Sequence, residues 1–202
     1  MDRQRLRQLL VTGGAAILLL AAGAGTIALQ LQRDWRPDVS GPVLPDWSAS
    51  VANAREIEIT GPEDHFILAR GEAGWVMPSR DDHPVIPERL AELDAFLADL
   101  SYVGARTADP GKHARLDLAD IGQPGTGTRL TVRGADGAVL TDIMLGAARN
   151  GRVYLRFPAR PRSYAAQLSG GVAAIPAIAL ADGWIDLDFL ALDSTDIART
   201  LI

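Results

Sequence analysis

Residues 129–145 read RLTVRGADGAVLTDIML, and this stretch decides the fold class. Apolar and polar residues alternate on both sides of Asp136-Gly137, as expected of two half-buried β-strands. On the first strand, Leu130 and Val132 share one face. An Asp-Gly pair between two alternating runs is a strong short-range signal for a hairpin turn. The stretch therefore predicts an antiparallel hairpin with one buried face.

Short alternating runs on either side of this hairpin extend the pattern. They lie at residues 55–59, 65–69, 75–77, 152–157 and 163–166. After Pro87 the spacing of the apolar residues lengthens. Leucines three to four residues apart predict one amphipathic helix over residues 87–100. Two further apolar runs, 184–190 and 197–202, close the chain, and the last predicts an edge strand. Together these signals predict an α+β domain with a mainly antiparallel sheet and one or two helices.

The N-terminal part has a different composition. Residues 9–31 read LLVTGGAAILLLAAGAGTIALQL, and no charge occurs between Arg7 and Arg33. About 20 apolar residues in a helix cross a hydrocarbon core of ~30 Å. Because Arg3, Arg5 and Arg7 precede the run, the positive-inside rule places the N-terminus in the cytoplasm. The sequence thus predicts a single-pass protein of the bacterial inner membrane with a periplasmic domain.

These signals divide the chain into four predicted parts. They are a cytoplasmic tip (1–8), a transmembrane helix (9–31), a linker (32–50) and an extracytoplasmic domain (51–202). Prolines and turn formers indicate the linker, which we expect to be an extended tether. A cleaved signal peptide is the alternative for the N-terminal segment, since Ala22-Gly23-Ala24 offers small residues for cleavage. The apolar run exceeds the usual length of a signal core, which favours the uncleaved anchor.

Composition narrows the class of partner. The chain has no cysteine, which excludes disulfides and thiolate metal sites. Its basic residues are nineteen arginines and Lys112. Without the first seven residues, 17 basic and 24 acidic side chains remain. This negative balance argues against nucleic acid as the main partner.

We find no motif for catalysis or cofactor binding in the sequence. His65, His83 and His113 lie in unrelated segments without metal-ligand spacing, so we expect exposed or loop histidines. Residues 182–186 resemble the middle of an EF-hand loop, but the outer ligand positions fall on apolar side chains, which cannot bind calcium. The glycines of residues 122–127 lack the Lys-Ser/Thr pair of a phosphate-binding loop. We therefore expect no catalytic residue, no metal and no cofactor.

The order of several short motifs resembles a bacterial family. A strand Ile57-Glu58-Ile59 precedes Gly74-Trp75-Val76 and a Leu-rich helix, and a later hairpin ends in Leu145-Gly146. A Val-Tyr-Leu-Arg strand at 153–156 and a Trp…Leu…Asp ending follow. In this order, residues 50–202 resemble one unit of the uncharacterised family called "domain of unknown function 4340".

The resemblance has one departure and limited implications. The usual Tyr-Gly-Leu of the family is replaced by residues 119–122 or by Arg115-Leu116. Family members are often membrane-anchored and look associated with auxiliary components of gliding-motility-type ABC transport systems. No catalytic residues are assigned to the family, so the resemblance implies none here.

One charge pattern indicates a binding surface. No acidic residue occurs between Asp142 and Asp182, while basic residues are frequent there. The candidate partner-binding residues are Arg149, Arg152, Tyr154, Arg156, Arg160 and Arg162. On a strand, residues 152, 154 and 156 share one face, which we expect to be exposed and able to bind an anionic surface. The alternative is that this basic block and the following acidic block neutralise each other.

The sequence favours a non-catalytic, membrane-anchored accessory subunit of a cell-envelope complex, with an ABC-type transport system as the expected setting. Such a subunit acts through contacts with integral-membrane or envelope proteins. One alternative is a periplasmic module that binds an anionic glycan or lipid headgroup through residues 149–162. Another is a hydrolase whose site forms only in the folded protein.

Overall fold

The computed structural model describes residues 37–171 and 175–186. Within these ranges the α-helices are α1 (Trp47–Asn53) and α2 (Pro87–Asp99). The strands are β1 (Glu56–Thr60), β2 (His65–Arg70), β3 (Trp75–Met77), β4 (His83–Pro84), β5 (Ser101–Ala105), β6 (Thr128–Arg133), β7 (Val139–Arg149), β8 (Arg152–Arg156) and β9 (Ser163–Gln167). Short 3-10 helices occupy Pro78–Arg80, Pro110–Leu116 and Ala181–Trp184.

The described strands join one sheet in the order β4-β3-β2-β1-β6-β7-β8-β9-β5. Their pairings are all antiparallel. The hairpin predicted at residues 129–145 is present, with Leu130 opposite Ile143 and Val132 opposite Thr141. Gly137 has a φ of 77° in the turn, a conformation that glycine adopts without steric cost. Because β6 also pairs with β1, this hairpin forms the middle of the sheet.

One face of the sheet, which we call the inner face, carries the main apolar core. Ile59 and Leu130 are fully buried on this face, and Leu97 of α2 packs against it. The ring of Trp184 lies 6.3 Å from that of Phe66 and closes the core near β2. Burial of each such side chain contributes about 1.5–3 kcal/mol. The leucines of α2 and the alternating apolar residues of the strands thus pack against each other at a single interface.

The opposite, outer face is covered over β7, β8 and β9. Met144, Arg156 and Ser163 are cross-strand neighbours on this face, and all three are buried. The chain between β5 and β6 crosses here, and we call its residues 109–127 the cover segment. Leu118 of this segment is fully buried. The sheet is therefore enclosed on both sides at β7 to β9.

Two glycines allow the cover segment to approach the sheet closely. A Cβ atom at Gly146 of β7 would overlap the carbonyl oxygens of Leu116 and Asp117. A Cβ atom at Gly127 would overlap the carbonyl oxygens of Asp117 and Leu145. Both contacts are with backbone, which cannot move aside as a flexible side chain can. Only glycine fits where these two backbones meet.

The expected fold class is wrong in its membrane helix. Within residues 37–171 and 175–186, no helix is long and apolar enough to cross a membrane. Helix α2 has 13 residues, which span about 20 Å, short of a ~30 Å hydrocarbon core. The described architecture is an antiparallel sheet of nine strands with short helices. The predicted tip (1–8), helix (9–31), final run (197–202) and residues 187–190 lie outside the described residues.

The predicted boundary between linker and domain at residue 51 is also wrong. Val43 and Trp47 are buried in the main core. The backbone carbonyl of Gly41 accepts a hydrogen bond of 2.9 Å from the amide of Tyr102 in β5. The prolines and turn formers of residues 41–46 belong to a segment that packs along the sheet edge, not to a free tether.

We expect the substitution Gly146→Ala to lower the free energy of unfolding by about 1–3 kcal/mol, because the added methyl group overlaps backbone carbonyls of the cover segment. Urea unfolding followed by circular dichroism measures the change. Gly104→Ala is the matched control, since a Cβ atom there meets nothing within 4 Å. Equal stability of the two variants would contradict the close packing of the cover segment.

Candidate functional site

The arginine surface predicted from the sequence does not form as expected, because Arg156 is buried. Its side chain is only 5% exposed. The guanidinium Nε donates a hydrogen bond of 2.8 Å to the carbonyl of Leu118, and Nη2 forms an ion pair with Asp120. Arg152 is exposed and Tyr154 is half-buried. The prediction of one exposed face is therefore wrong for Arg156, since the cover segment lies over it.

Two more of the predicted arginines also contact the protein itself. Arg149 lies 3.6 Å from a carboxylate oxygen of Asp117. Arg162 donates a hydrogen bond of 3.0 Å to the carbonyl of Arg106. These contacts satisfy the arginines within the fold. The carboxylates at Arg149 and Arg156 are those of Asp117 and Asp120, which are not part of the acidic block that follows residue 181.

The last predicted residue, Arg160, borders a cleft of mixed charge. Its guanidinium lies 5.7 Å from the centre of the Phe157 ring. The cleft has a volume of about 580 Å³, and Asp46, Asp142 and Tyr102 also line it. Two carboxylates beside one arginine do not give the positive potential that attracts an anionic ligand. Among the arginines of the predicted set, the side chains of Arg152 and Arg160 are those that form no ion pair and no hydrogen bond within the described residues.

An apolar groove lies between the two α-helices, on the inner side of the sheet. Trp47 and Val51 of α1 form one wall, and Leu90 of α2 with Trp75 of β3 forms another. Val132 of the central hairpin lies at the base and is fully buried. The groove has a volume of about 190 Å³. We call this site the Trp47 groove.

A polar contact joins the two helices within the groove. The indole Nε1 of Trp47 donates a hydrogen bond of 2.9 Å to Oδ1 of Asp94 in α2. Asp94 itself is exposed, and its other carboxylate oxygen has no hydrogen-bond partner among the described residues. A second depression of about 390 Å³ begins on the far side of this pair and is lined by Pro42 and Pro45. The groove is therefore mainly apolar and carries one available negative charge.

The uncovered half of the outer face carries a network of ion pairs. Arg133 of β6 lies 3.2 Å from Glu58 of β1, which also contacts His65 at 3.1 Å. Partial burial opposes ionisation of Glu58, but the hydrogen bonds from His65 and Arg133 outweigh it and hold its pKa below the usual value. Asp142 forms two hydrogen bonds of 2.8 Å with Arg129. The charges on this surface therefore compensate one another.

The histidines are placed differently from one another. His65 is exposed, but His113 of the cover segment is only 4% exposed, which contradicts the expectation of exposed or loop histidines. Burial of His113 and the nearby charge of Arg156 lower the pKa of the His113 imidazole. Among the residues that the structure describes, no group of three His, Asp or Glu side chains is arranged to hold a metal ion.

Sequence reasoning missed the Trp47 groove. The Trp47 side chain falls in a segment predicted to be a linker, and Asp94 occupies a polar position of an amphipathic helix. The hydrogen bond between them joins residues that are 47 positions apart. A tryptophan directly after a Pro-Asp turn was the available local signal, since large aromatic side chains are seldom left in solvent.

Comparisons with known proteins identify no relative. The chain matches no family model, no curated protein and no solved structure. The resemblance to the "domain of unknown function 4340" family therefore stays a prediction. The expectation of a single-pass transmembrane protein associated with ABC-type transport is withdrawn, because the described residues contain no spanning helix and no match supports the association.

We expect Arg156→Met to lower the free energy of unfolding by about 1–3 kcal/mol, because the buried Leu118 carbonyl loses its hydrogen-bond donor. Arg152→Met, four residues away on the same strand, is the control and should change stability by less than about 0.5 kcal/mol. Thermal or urea unfolding measures both. A neutral Arg156 variant would show that the cover segment does not depend on this contact.

Proposed function

We infer that this protein is a non-catalytic accessory subunit that acts through contacts with partner proteins of a cell-envelope complex. The Trp47 groove is the observation that supports this function. It is an apolar depression with two tryptophans in its walls and one carboxylate, that of Asp94, at its rim, and such aromatic anchors are enriched at the energetic centres of protein interfaces. The cell-envelope setting is not tested by the geometry of the groove and stays a prediction.

The chemistry of the groove favours one kind of partner segment. A volume of about 190 Å³ accommodates a large apolar side chain. The free carboxylate oxygen of Asp94 favours a lysine or arginine next to that apolar residue. An anionic glycan or lipid headgroup has neither the apolar group nor the positive charge that this site selects. A protein segment with adjacent apolar and basic side chains fits both features.

Two substitutions test the groove without removing the core. Leu90→Arg places a charge in the apolar wall, where Leu90 is half-buried. Asp94→Asn removes the negative charge but keeps an oxygen that can accept the hydrogen bond from Trp47. We expect Leu90→Arg to weaken partner binding about tenfold or more, and Asp94→Asn to weaken it less. Leu180→Arg is the control, because Leu180 is already exposed and lies outside the groove.

The measurement begins with purification of the tagged full-length chain from its own cells in mild detergent. The partner identified there is then purified, and its affinity for each variant is measured. Thermal unfolding checks that the variants remain folded. A chain that elutes alone, or a partner that binds Leu90→Arg as tightly as it binds Leu180→Arg, would contradict the proposed function.

The alternative function, binding of an anionic glycan or lipid headgroup, would require Arg152 and Arg160, whose side chains form no ion pair within the described residues. Because Arg156 has a structural role, a test that removes it would confuse loss of folding with loss of binding. We expect the double variant Arg152→Ala with Arg160→Ala to bind heparin no more weakly than the wild type does. A salt-sensitive affinity for heparin that this double variant loses would favour the alternative.

A further inference from the structure

The cover segment contains the one buried side-chain atom without a hydrogen-bond partner that is found among the described residues. This atom is Nε2 of His113. A buried polar atom without a partner has lost its hydrogen bonds to water and gained none in return, so it is rarely left in place without consequence. Its neighbour Arg156 is also buried and carries a permanent positive charge. A second positive charge on His113 would therefore be placed beside a first one, away from water.

The cover segment is attached to the sheet in a way that permits local opening. Within the described residues, its backbone hydrogen bonds at residues 109–120 are local, such as the amide of Leu118 to the carbonyl of His113 at 3.0 Å. No strand pairing joins these residues to β7 or β8. Its hydrogen bonds and ion pairs with the sheet come from side chains, chiefly from Arg156 to the Leu118 carbonyl and to Asp120. A segment that is packed on the sheet without strand pairing can open without unfolding of the sheet.

We propose that residues 109–120 form an acid-sensitive cover, which protonation of His113 releases from the outer face of the sheet. In the closed state the imidazole of His113, a residue of the cover itself, is neutral and buried. In the open state the imidazole and Arg156 both reach water, and their repulsion is relieved. Opening also exposes Met144 and the charge of Arg156, which are hidden in the closed state. This cover lies on the opposite side of the sheet from the Trp47 groove, and its opening does not depend on the proposed function.

The surroundings of His113 both raise and lower the pKa of its imidazole. Burial is the largest effect on the pKa of His113 and lowers it, and Arg156 of β8 lowers it further. A hydrogen bond to the Pro161 carbonyl and the carboxylates of Asp120 and Asp109 act in the opposite direction. Of the two acids, Asp109 lies 3.6 Å from Lys112, which reduces its influence. The pKa in the closed state consequently lies below the ordinary value of 6.5.

The sign of the pH dependence follows from this difference. When the pH falls below 6.5, the open state binds a proton that the closed state does not bind. Closure is therefore fully stable above pH 6.5 and loses stability as the pH falls toward the lower pKa of the closed state.

Hydrogen exchange of the full-length protein at about pH 7.5 and about pH 5.5 tests the cover. After correction for the intrinsic exchange rate, we expect amides of residues 109–120 to exchange several-fold faster at the lower pH. Amides of the central hairpin β6–β7 should not change. His113→Phe, which cannot take a proton, should remove the pH dependence. His65→Phe is the matched control and should behave as the wild type does, because His65 is exposed.

Three results would overturn the proposal. They are no acid-induced exchange in residues 109–120, the same acid response in His113→Phe, or faster exchange throughout the sheet. If His113→Phe does not fold, the imidazole of His113 in the wild type is titrated by NMR. A titration below pH 6.5 supports the proposal, and a titration at or above 6.5 overturns it.

Discussion

Strand β7 is buried on both of its faces, and the arrangement of the remaining elements follows from this. The consecutive residues Ile143, Met144, Leu145 and Gly146 are all buried. A strand that is buried on one side only alternates between buried and exposed residues. Here α2 and the main core lie against the inner face, and the cover segment lies against the outer face. Each face of the central strands is therefore packed against a different part of the chain.

The cover segment buries polar side chains on the outer face of the sheet. These side chains make this layer chemically different from the apolar inner core. Arg156 supplies hydrogen bonds to the Leu118 carbonyl and to Asp120, so the buried guanidinium stabilises the segment that buries it. Gly127 and Gly146 bring the two backbones close enough for this contact. His113 is placed in the same layer with one nitrogen unpaired. The outer layer is therefore more sensitive to protonation than the inner core, which is made of aliphatic and aromatic side chains.

The inner side of the sheet carries an apolar groove between the two α-helices. Helix α1 has seven residues and α2 has thirteen, so the short helix covers only part of the sheet beside the long one. Trp47 fills the boundary between them and donates its indole hydrogen bond to Asp94. What remains is an apolar groove with a carboxylate at its rim. The charged residues on the exposed part of the outer face, in contrast, are paired with each other, as Arg129 is with Asp142.

The sequence by itself determined the local elements of this protein. The central hairpin and helix α2 follow from the residues themselves, because the period of apolar residues and the Asp-Gly turn act over a few neighbouring positions. The tertiary structure alone decided which strand faces are covered, and so which residues form a site. Arg156 alternates along β8 like an exposed residue, but it is buried by a segment 38 positions away. Trp47 lies in the wall of the groove, where it donates a hydrogen bond to Asp94, 47 positions away. Burial depends on such distant contacts, and no local pattern encodes them.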